Sequence, residues 1–472
     1  MRQLRRSLTG AGRVLFALDT VLVLLAWPPV LWLGYPDLAA LFTPADPRGL
    51  LYPIVDLVAL YAMGLYRREA LLQTGRSLTR VPLVVGMGAS LVVLATAAYG
   101  LLDNAVPWVG GRDHAVVFAL AAVTFTLCAF FARLVVDVMI QRRILRRRLL
   151  VLGAGARAWN LLQVISQEGT SLNYEVTFLH HPSMGEIDPR LDAELDRRIL
   201  RPDTFDIRPI AQAIDPDQIV VAPDERRGMD LLRLLECKTA GFPIVQYLSF
   251  VEKEIRRVDL ERMEIGWLVY SDGFTFGAVD RLLKRIFDLA VSSVVLLLAS
   301  PLLLFGMLAI RWEGPGPVLY RQERVTLDGR VFWIMKLRTM RVDAESGGAV
   351  WAAAQDSRIT KVGAFLRRTR IDELPQLVNI LKGEMSFVGP RPERPVFVAE
   401  LAEQIPLYHE RHMVKAGLTG WAQINYPYGA SVEDARSKLS YDLYYVKNFS
   451  ILFDFVILLQ TLREVLWPSG VR

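Results

Sequence analysis

Cysteine is almost absent. The 472 residues carry two, Cys128 and Cys237, one in an apolar run and one in a polar region, which excludes a disulfide scaffold. Histidine is scarce, with five residues. No third ligand accompanies the adjacent pair His180-His181, so a zinc site is not indicated. Charged side chains make up only 22% against 52% hydrophobic ones, and the mean hydropathy is +0.29. Such a hydrophobic share excludes a disordered chain. It is too apolar for an ordinary soluble protein and too charged for a bare membrane bundle. A basic excess is also missing where nucleic acid would need it. Residues 1–148 hold 16 Lys+Arg against 8 Asp+Glu, whereas the remainder holds 39 against 41. The basic character belongs to the apolar N-terminal part, and no nucleic-acid partner is expected.

Four apolar stretches occupy that part: Val14–Leu33, Gly49–Tyr66, Val81–Leu102 and Ala115–Ile140. Each has about 18 residues or more, enough to cross roughly 30 Å of hydrocarbon as a helix. The first follows Arg2, Arg5, Arg6 and Arg13, as a signal peptide would. Its apolar core is too long and no small-x-small site follows, so it reads as an uncleaved anchor. Arginine alternates between the connections: 13 before the first span, between the second and third, and after the fourth, against only Arg48 and Arg112 in the other two loops. That bias places both ends of the bundle in the cytoplasm. Asp19 and Asp56 lie within the spans, where charge is costly. They face the bundle interior or an interface, or they have a function, and the sequence names no partner for either.

Past Arg148, an apolar strand runs into a glycine turn and then a helix. Gly153, Gly155 and Ala158 fit the G-x-G-x-x-A dinucleotide fingerprint. The acidic residue that should follow the second strand is missing, since Tyr174–Leu179 leads into His180-His181-Pro182. No Tyr-x-x-x-Lys pair accompanies the turn either. A Rossmann-like structural or regulatory domain is favoured over a working nicotinamide site.

Residues 286–310 form another apolar run, flanked by Lys284 and Arg285 at one end and Arg311 at the other, with Ser300-Pro301 near its middle. Proline removes a helix hydrogen bond. With cations at both ends, a re-entrant hairpin broken at Ser300-Pro301 fits better than a span. A Pro-kinked span is the alternative.

From residue 313 onward, polar clusters recur between short apolar segments. Lys336-Leu-Arg338 follows a strand. Arg367-Arg-Thr-Arg-Ile-Asp372-Glu373-Leu-Pro-Gln sets four cations near two adjacent carboxylates. Arg391 stands between Pro390 and Pro392. Carboxylates among arginines suit phosphoryl transfer with a divalent metal, because the transferred group needs its charge neutralised. A carboxylate can also be the nucleophile. The same residues could equally form surface ion pairs, and the pattern alone leaves both readings open.

Taken together, Lys284-Arg285-Ile-Phe-Asp288, Ser300-Pro301, Gly314-Pro-Gly-Pro, Lys336-Leu-Arg338, Asp372-Glu-Leu-Pro-Gln, Gly389-Pro-Arg-Pro and Gly417-Leu-Thr-Gly-Trp421 resemble the bacterial sugar transferase family. These are monotopic polyprenyl-phosphate hexose-1-phosphate transferases, and the resemblance covers roughly residues 280–470. The bundle and middle region resemble the larger members that prime exopolysaccharide or O-antigen assembly. Trp267–Phe274 and Tyr426–Asp434 further resemble the branch associated with exosortase (PEP-CTERM) systems.

The resemblance implies transfer of a hexose-1-phosphate from a UDP-sugar to undecaprenyl phosphate, with release of UMP. Asp372 would be the nucleophile, forming a phospho-sugar aspartate. Glu373 would bind Mg²⁺. Arg367, Arg391, Lys336, Arg338 and Asp442 would handle phosphate or substrate, and Ser300-Pro301 would break the re-entrant membrane helix. The alternatives are a glycosyl transferase releasing UDP and a non-catalytic membrane scaffold or sensor. The expected architecture is a multidomain membrane protein: a four-helix transmembrane bundle over 1–147, an α/β Rossmann-like cytoplasmic domain over 148–275, and an α/β catalytic domain over 276–472 anchored by a re-entrant helix, 284–311. It would lie in the bacterial inner membrane with the catalytic domain on the cytoplasmic face. The bundle could hold two copies together.

Overall fold

The computed structural model describes residues 11–34, 50–102, 112–167, 174–195, 198–225, 230–263, 265–274, 276–342, 344, 358–427, 429 and 431–466. Arg2, Arg5, Arg6 and Arg48, counted in the charge bias, lie outside them, as do Tyr428 and Ala430 of the Tyr426–Asp434 string. The chain divides into two compact units, Met1–Ile255 and Arg256–Arg472.

The N-terminal unit opens with four apolar helices: α1 (Ala11–Gly34), α2 (Leu51–Ala62), α3 (Thr74–Leu102) and α4 (Arg112–Gln141). α1 packs along α4, and α3 along both α2 and α4. Their seam is filled by Val23, Trp27, Tyr52, Leu60, Val84 and Phe125, with the Tyr52 and Phe125 rings stacked at 5.2 Å. α1, α3 and α4 are long and apolar enough to cross a membrane. The expected second span falls short. α2 has 12 residues, about 18 Å of helix against roughly 30 Å of hydrocarbon. It stops because the backbone turns at Gly64, whose φ is +73°, a conformation glycine adopts without steric cost.

Five parallel strands follow: β1 (Arg147–Leu152), β2 (Tyr174–Leu179), β3 (Ile199–Leu200), β4 (Gln218–Val221) and β5 (Ile244–Gln246), in the order β3-β2-β1-β4-β5. Leu149 to Leu152 of β1 are fully buried, as befits a central parallel strand covered on both faces. Helix α5 (Ala156–Gln167) follows β1 through the glycine turn. Gly153 has φ +110°, and a Cβ there would come within 2.7 Å of Ala222 O. Cys128 and Cys237 are both free.

The C-terminal unit begins before its long helix. Trp421 Nε1 donates to Arg256 O at 2.8 Å, Val258 N to Ser440 O at 3.0 Å and Phe274 N to Lys447 O at 3.3 Å, so Arg256, Val258 and Phe274 pack here. Helix α6 runs unbroken from Ala278 to Glu313, 36 residues. Ser300 and Pro301, where the sequence suggested a break, lie inside this helix. Pro301 has no N–H to donate to Leu297 O, and Ser300 Oγ donates to that carbonyl instead, at 2.8 Å. One backbone bond of the helix is thus replaced by a side-chain bond at the proline, the point where such a helix bends.

After α6 come the antiparallel pair β6 (Leu319–Val325) and β7 (Val331–Leu337), α7 (Lys361–Arg368), α8 (Gln376–Lys382), the parallel pair β8 (Ser386–Val388) and β9 (Gly417–Thr419), α9 (Val432–Lys447) and α10 (Ile451–Leu466). Both ends of α6 are tied to this body. Near its start, Arg285 donates to Ile380 O and Leu381 O, both at 2.6 Å, completing the carbonyl end of α8. Lys284 reaches Asp454 Oδ2 at 2.5 Å and Val388 O at 3.1 Å. Asp288 accepts from Ser386 Oγ and Phe387 N, both at 3.0 Å. Near its end, Gly306 packs against Leu337, Leu366 and Ile371, and Glu313 Oε1 accepts from Val362 N at 2.9 Å. Between these anchorages Val294, Leu297, Leu298, Leu302, Leu304, Phe305 and Leu308 are exposed.

Candidate active site

The two adjacent carboxylates sit on a short 3₁₀ turn, Ile371–Glu373. α7 leads into it, with Thr360 Oγ1 capping the Gly363 N–H at 2.9 Å. Gly363 is required at that start, because a Cβ would fall 2.0 Å from Thr339 O. Arg370 opens the turn in the left-handed region, at φ +61°, a strained conformation for a non-glycine residue. Ile371 then wedges onto Gly306 of α6, which fixes where Asp372 and Glu373 emerge.

The neighbours of the two carboxylates differ. Asp372 is buried, and its Oδ1 has no hydrogen-bond partner among the described residues. Glu373 Oε1 is ringed by cations: Arg391 NH2 at 3.4 Å, Lys336 Nζ at 3.5 Å and Arg370 NH1 at 3.8 Å. Burial raises the pKa of Asp372, the Glu373 charge raises it further, and Lys336, Arg367 and Arg370 only partly offset this. Burial works the same way on Glu373 but is outweighed by Lys336, Arg391 and Arg370, so its pKa falls below the ordinary value. Burial also lowers Lys336, against the pull of Glu373. Two neighbouring carboxylates pushed apart in this way divide their roles, one fully ionised and one easier to protonate.

Arg391 is held by its backbone. Four successive carbonyls each accept a hydrogen bond: Pro390 O from Gly417 N at 2.8 Å, Arg391 O from Arg411 NH2 at 3.0 Å, Pro392 O from Arg324 NH1 at 3.1 Å, and Glu393 O from Val325 N at 2.9 Å. Glycines let the strands approach this closely. A Cβ on Gly389 would fall 2.3 Å from Lys415 O, one on Gly417 2.1 Å from Gly389 N, and one on Gly420 2.1 Å from Gly389 O.

The remaining residues singled out from the sequence take varied places. Arg367 Nε donates to Thr339 Oγ1 at 2.9 Å, beside the acidic turn. Arg338 donates to Pro315 O at 2.9 Å and Gly314 O at 3.2 Å, bracing the Gly-Pro-Gly-Pro turn. Asp442 is buried and accepts from Arg411, through NH2 at 2.7 Å and Nε at 3.1 Å. It thus acts on Arg391 through Arg411. Sequence reasoning passed over Arg324, Arg370 and Arg411. Arg324 and Arg370 lay inside the polar motif strings, but nothing in the spacing marked Arg411.

In the N-terminal unit, the glycine turn after β1 carries an internal anion. Asp224 Oδ2 accepts from Ala156 N at 2.6 Å and Oδ1 from Arg157 N at 3.0 Å. A Cβ on Gly155 would fall 2.0 Å from that carboxylate. The amides that a dinucleotide phosphate would use at a helix start are already engaged.

Comparison with known proteins bears on the C-terminal unit. The family model described as bacterial sugar transferase matches residues 279–468. A UDP-N-acetylgalactosamine-undecaprenyl-phosphate N-acetylgalactosaminephosphotransferase of Aeromonas hydrophila is 39% identical over 242 residues, 51% of this chain and 56% of the relative. A UDP-glucose:undecaprenyl-phosphate glucose-1-phosphate transferase of Escherichia coli (strain K12) is 43% identical over 185 residues, 39% of this chain and 40% of the relative. An exopolysaccharide production protein, PSS, of Rhizobium leguminosarum bv. phaseoli is 42% identical over 189 residues, 39% of this chain and 94% of the relative. The match thus spans about half or less of the first two relatives and nearly all of the third.

Proposed function

The chain belongs to the bacterial sugar transferase family, and from that premise we propose that it transfers a hexose-1-phosphate from a UDP-sugar to undecaprenyl phosphate, releasing UMP, as the first step of building a surface polysaccharide. The observation that carries the proposal is the Asp372 carboxylate, buried with one oxygen unpartnered beside a ring of cations. Such a site suits a nucleophile for a polyanionic substrate.

In this reading an Asp372 oxygen attacks the sugar-bearing phosphorus of the UDP-sugar. The bond from that phosphorus to the UMP oxygen breaks, UMP leaves, and an acyl phosphate carrying the sugar remains. A phosphate oxygen of undecaprenyl phosphate then attacks the same phosphorus, and Asp372 departs as carboxylate. Arg391 and Lys336 neutralise the phosphates during both displacements. Arg367 and Arg370, which act electrostatically on Asp372, keep the nucleophile ionised in part.

Magnesium belongs to the same proposal. Among the described residues no cluster of three or more His, Cys, Asp or Glu could hold a metal alone. Magnesium is commonly taken by one or two carboxylates together with substrate phosphates, and Asp372 with Glu373 fits that mode. Glu373 Oε1 is occupied by cations, so the other Glu373 oxygen is the donor available to it. When bound, the ion would add positive charge at the transferred phosphate.

Two further readings concern the setting. In this reading the exposed apolar middle of α6 dips into the membrane and, bent at Pro301, returns to the same side, which is supported by the anchorage of both its ends on one polar body. In this reading that side is the cytoplasm, which the arginine bias of the N-terminal bundle supports. The strand order β3-β2-β1-β4-β5 supports a Rossmann-like fold for the middle region, with its phosphate turn closed by Asp224.

The test is the nucleotide released. Full-length protein is given undecaprenyl phosphate, Mg²⁺ and a panel of UDP-sugars. UMP from one donor is the expected product. Release of UDP would overturn the mechanism. Asp372→Asn should abolish turnover and also the labelling of the protein by a donor radiolabelled in its sugar phosphate. Undiminished turnover in that variant would sink the covalent step.

A further inference from the structure

Inside the N-terminal bundle, all four helices bring groups to one buried point that the transfer chemistry does not use. Asp19 on α1 and Asp56 on α2 have no exposed surface, and Arg133 on α4 and Tyr52 on α2 almost none. Arg133 NH1 donates to Asp19 Oδ2 at 3.3 Å, to Asp19 Oδ1 at 3.5 Å and to Ala129 O at 2.9 Å. α3 contributes Gly88, where a Cβ would lie 3.4 Å from Asp56 Oδ1. The Arg133 guanidinium also lies over the Tyr66 ring, 6.0 Å from its centroid.

The cluster does not satisfy itself. Both oxygens of Asp56, the Nε and NH2 of Arg133 and the hydroxyl of Tyr52 lack hydrogen-bond partners among the described residues. Its charge is also unbalanced, because two carboxylates share one guanidinium. Asp19 holds Arg133 by hydrogen bonds, while Asp56 feels the attraction of Arg133 and the repulsion of Asp19 only through space. A carboxylate in an apolar interior needs a counter-charge and donors, or it takes up a proton. One excess negative charge calls for one positive charge. The packing of Trp27, Tyr52 and Phe125 around the seam and the close approach of Gly88 limit its size.

We propose that Asp56, with Asp19, Arg133 and Tyr52 around it, is a binding site for one small monovalent cation, a proton or a sodium ion, within the N-terminal bundle. The titratable and charged groups facing Asp56 are Asp19 from α1, Tyr52 from its own helix, Tyr66 from the turn after it, and Cys128 and Arg133 from α4. α3 faces it with Gly88.

The test follows thermal unfolding of the full-length protein in lipid nanodiscs. One arm varies pH. The other varies sodium at constant ionic strength, with choline as replacement. A proton held by Asp56 in the fold and released on unfolding makes the wild-type unfolding temperature fall by several degrees between about pH 5 and pH 8. A bound sodium ion instead raises that temperature as sodium rises at fixed pH. Asp56→Asn keeps the shape and removes the charge, so it should lose whichever dependence the wild type shows. Should that variant fail to fold, Asp19→Asn also removes the excess charge by leaving Arg133 to Asp56, and it should flatten the same curve. A wild type indifferent to both cations, or a folded variant that keeps the wild-type dependence, would overturn the proposal.

Discussion

At the scale of single residues, the decisive feature is how differently Asp372 and Glu373 are treated by their surroundings. Burial and the Glu373 charge push Asp372 up, while three cations hold Glu373 down. A nucleophile must be ionised, so acidification should stop turnover at a higher pH than an ordinary aspartate would impose. The acid limb of the pH–rate profile should therefore lie above the usual carboxylate range. Glu373→Gln removes a negative neighbour and should move that limb to lower pH while lowering the rate itself. A profile whose acid limb does not move between wild type and variant would contradict the assignment. The adjacency of the two carboxylates was legible in the sequence. Their unequal fates were not, because Lys336 and Arg391 approach from chain positions 37 residues before and 18 residues after Glu373. Arg411 was invisible for the same reason: it meets Asp442 across 31 residues and Arg391 across 20.

At the scale of elements, backbone fit matters more than side-chain identity. The segment carrying Arg391 is seated where Gly389, Gly417 and Gly420 allow strand to touch strand. Gly417→Ala should cost about 1–3 kcal/mol through overpacking, read as a lower denaturation midpoint, and should weaken substrate binding as Arg391 shifts. The glycine motifs were legible; that their purpose is contact between backbones emerges only from β8 lying beside β9. The turn after β1 teaches a related lesson. Its glycines suggested phosphate, yet the partner is Asp224, 68 residues beyond the first amide it caps. Asp224→Ala should lower stability by about 0.5–2 kcal/mol, the usual worth of a helix N-terminal cap, measured by chemical denaturation of the full chain. An unchanged midpoint would remove that role. Hydropathy likewise located the apolar helices but not where α2 ends, since Gly64 acts through backbone angle rather than through apolarity.

At the scale of the whole molecule, composition already separated a basic apolar part from a nearly neutral polar one, and apolar helices occur in both compact units. In the C-terminal unit, the turn bearing Asp372 rests on Gly306 of the helix whose neighbouring Leu302, Leu304, Phe305 and Leu308 are exposed. On the proposed reaction, and with that face in lipid, the site would be pinned at a fixed depth while a greasy acceptor drifts in two dimensions. The quantity such an enzyme would sense is crowding within the film rather than amount per litre. Adding inert detergent at constant total undecaprenyl phosphate should slow the reaction by surface dilution. Raising acceptor and detergent together, at constant mole fraction, should leave the rate per enzyme unchanged.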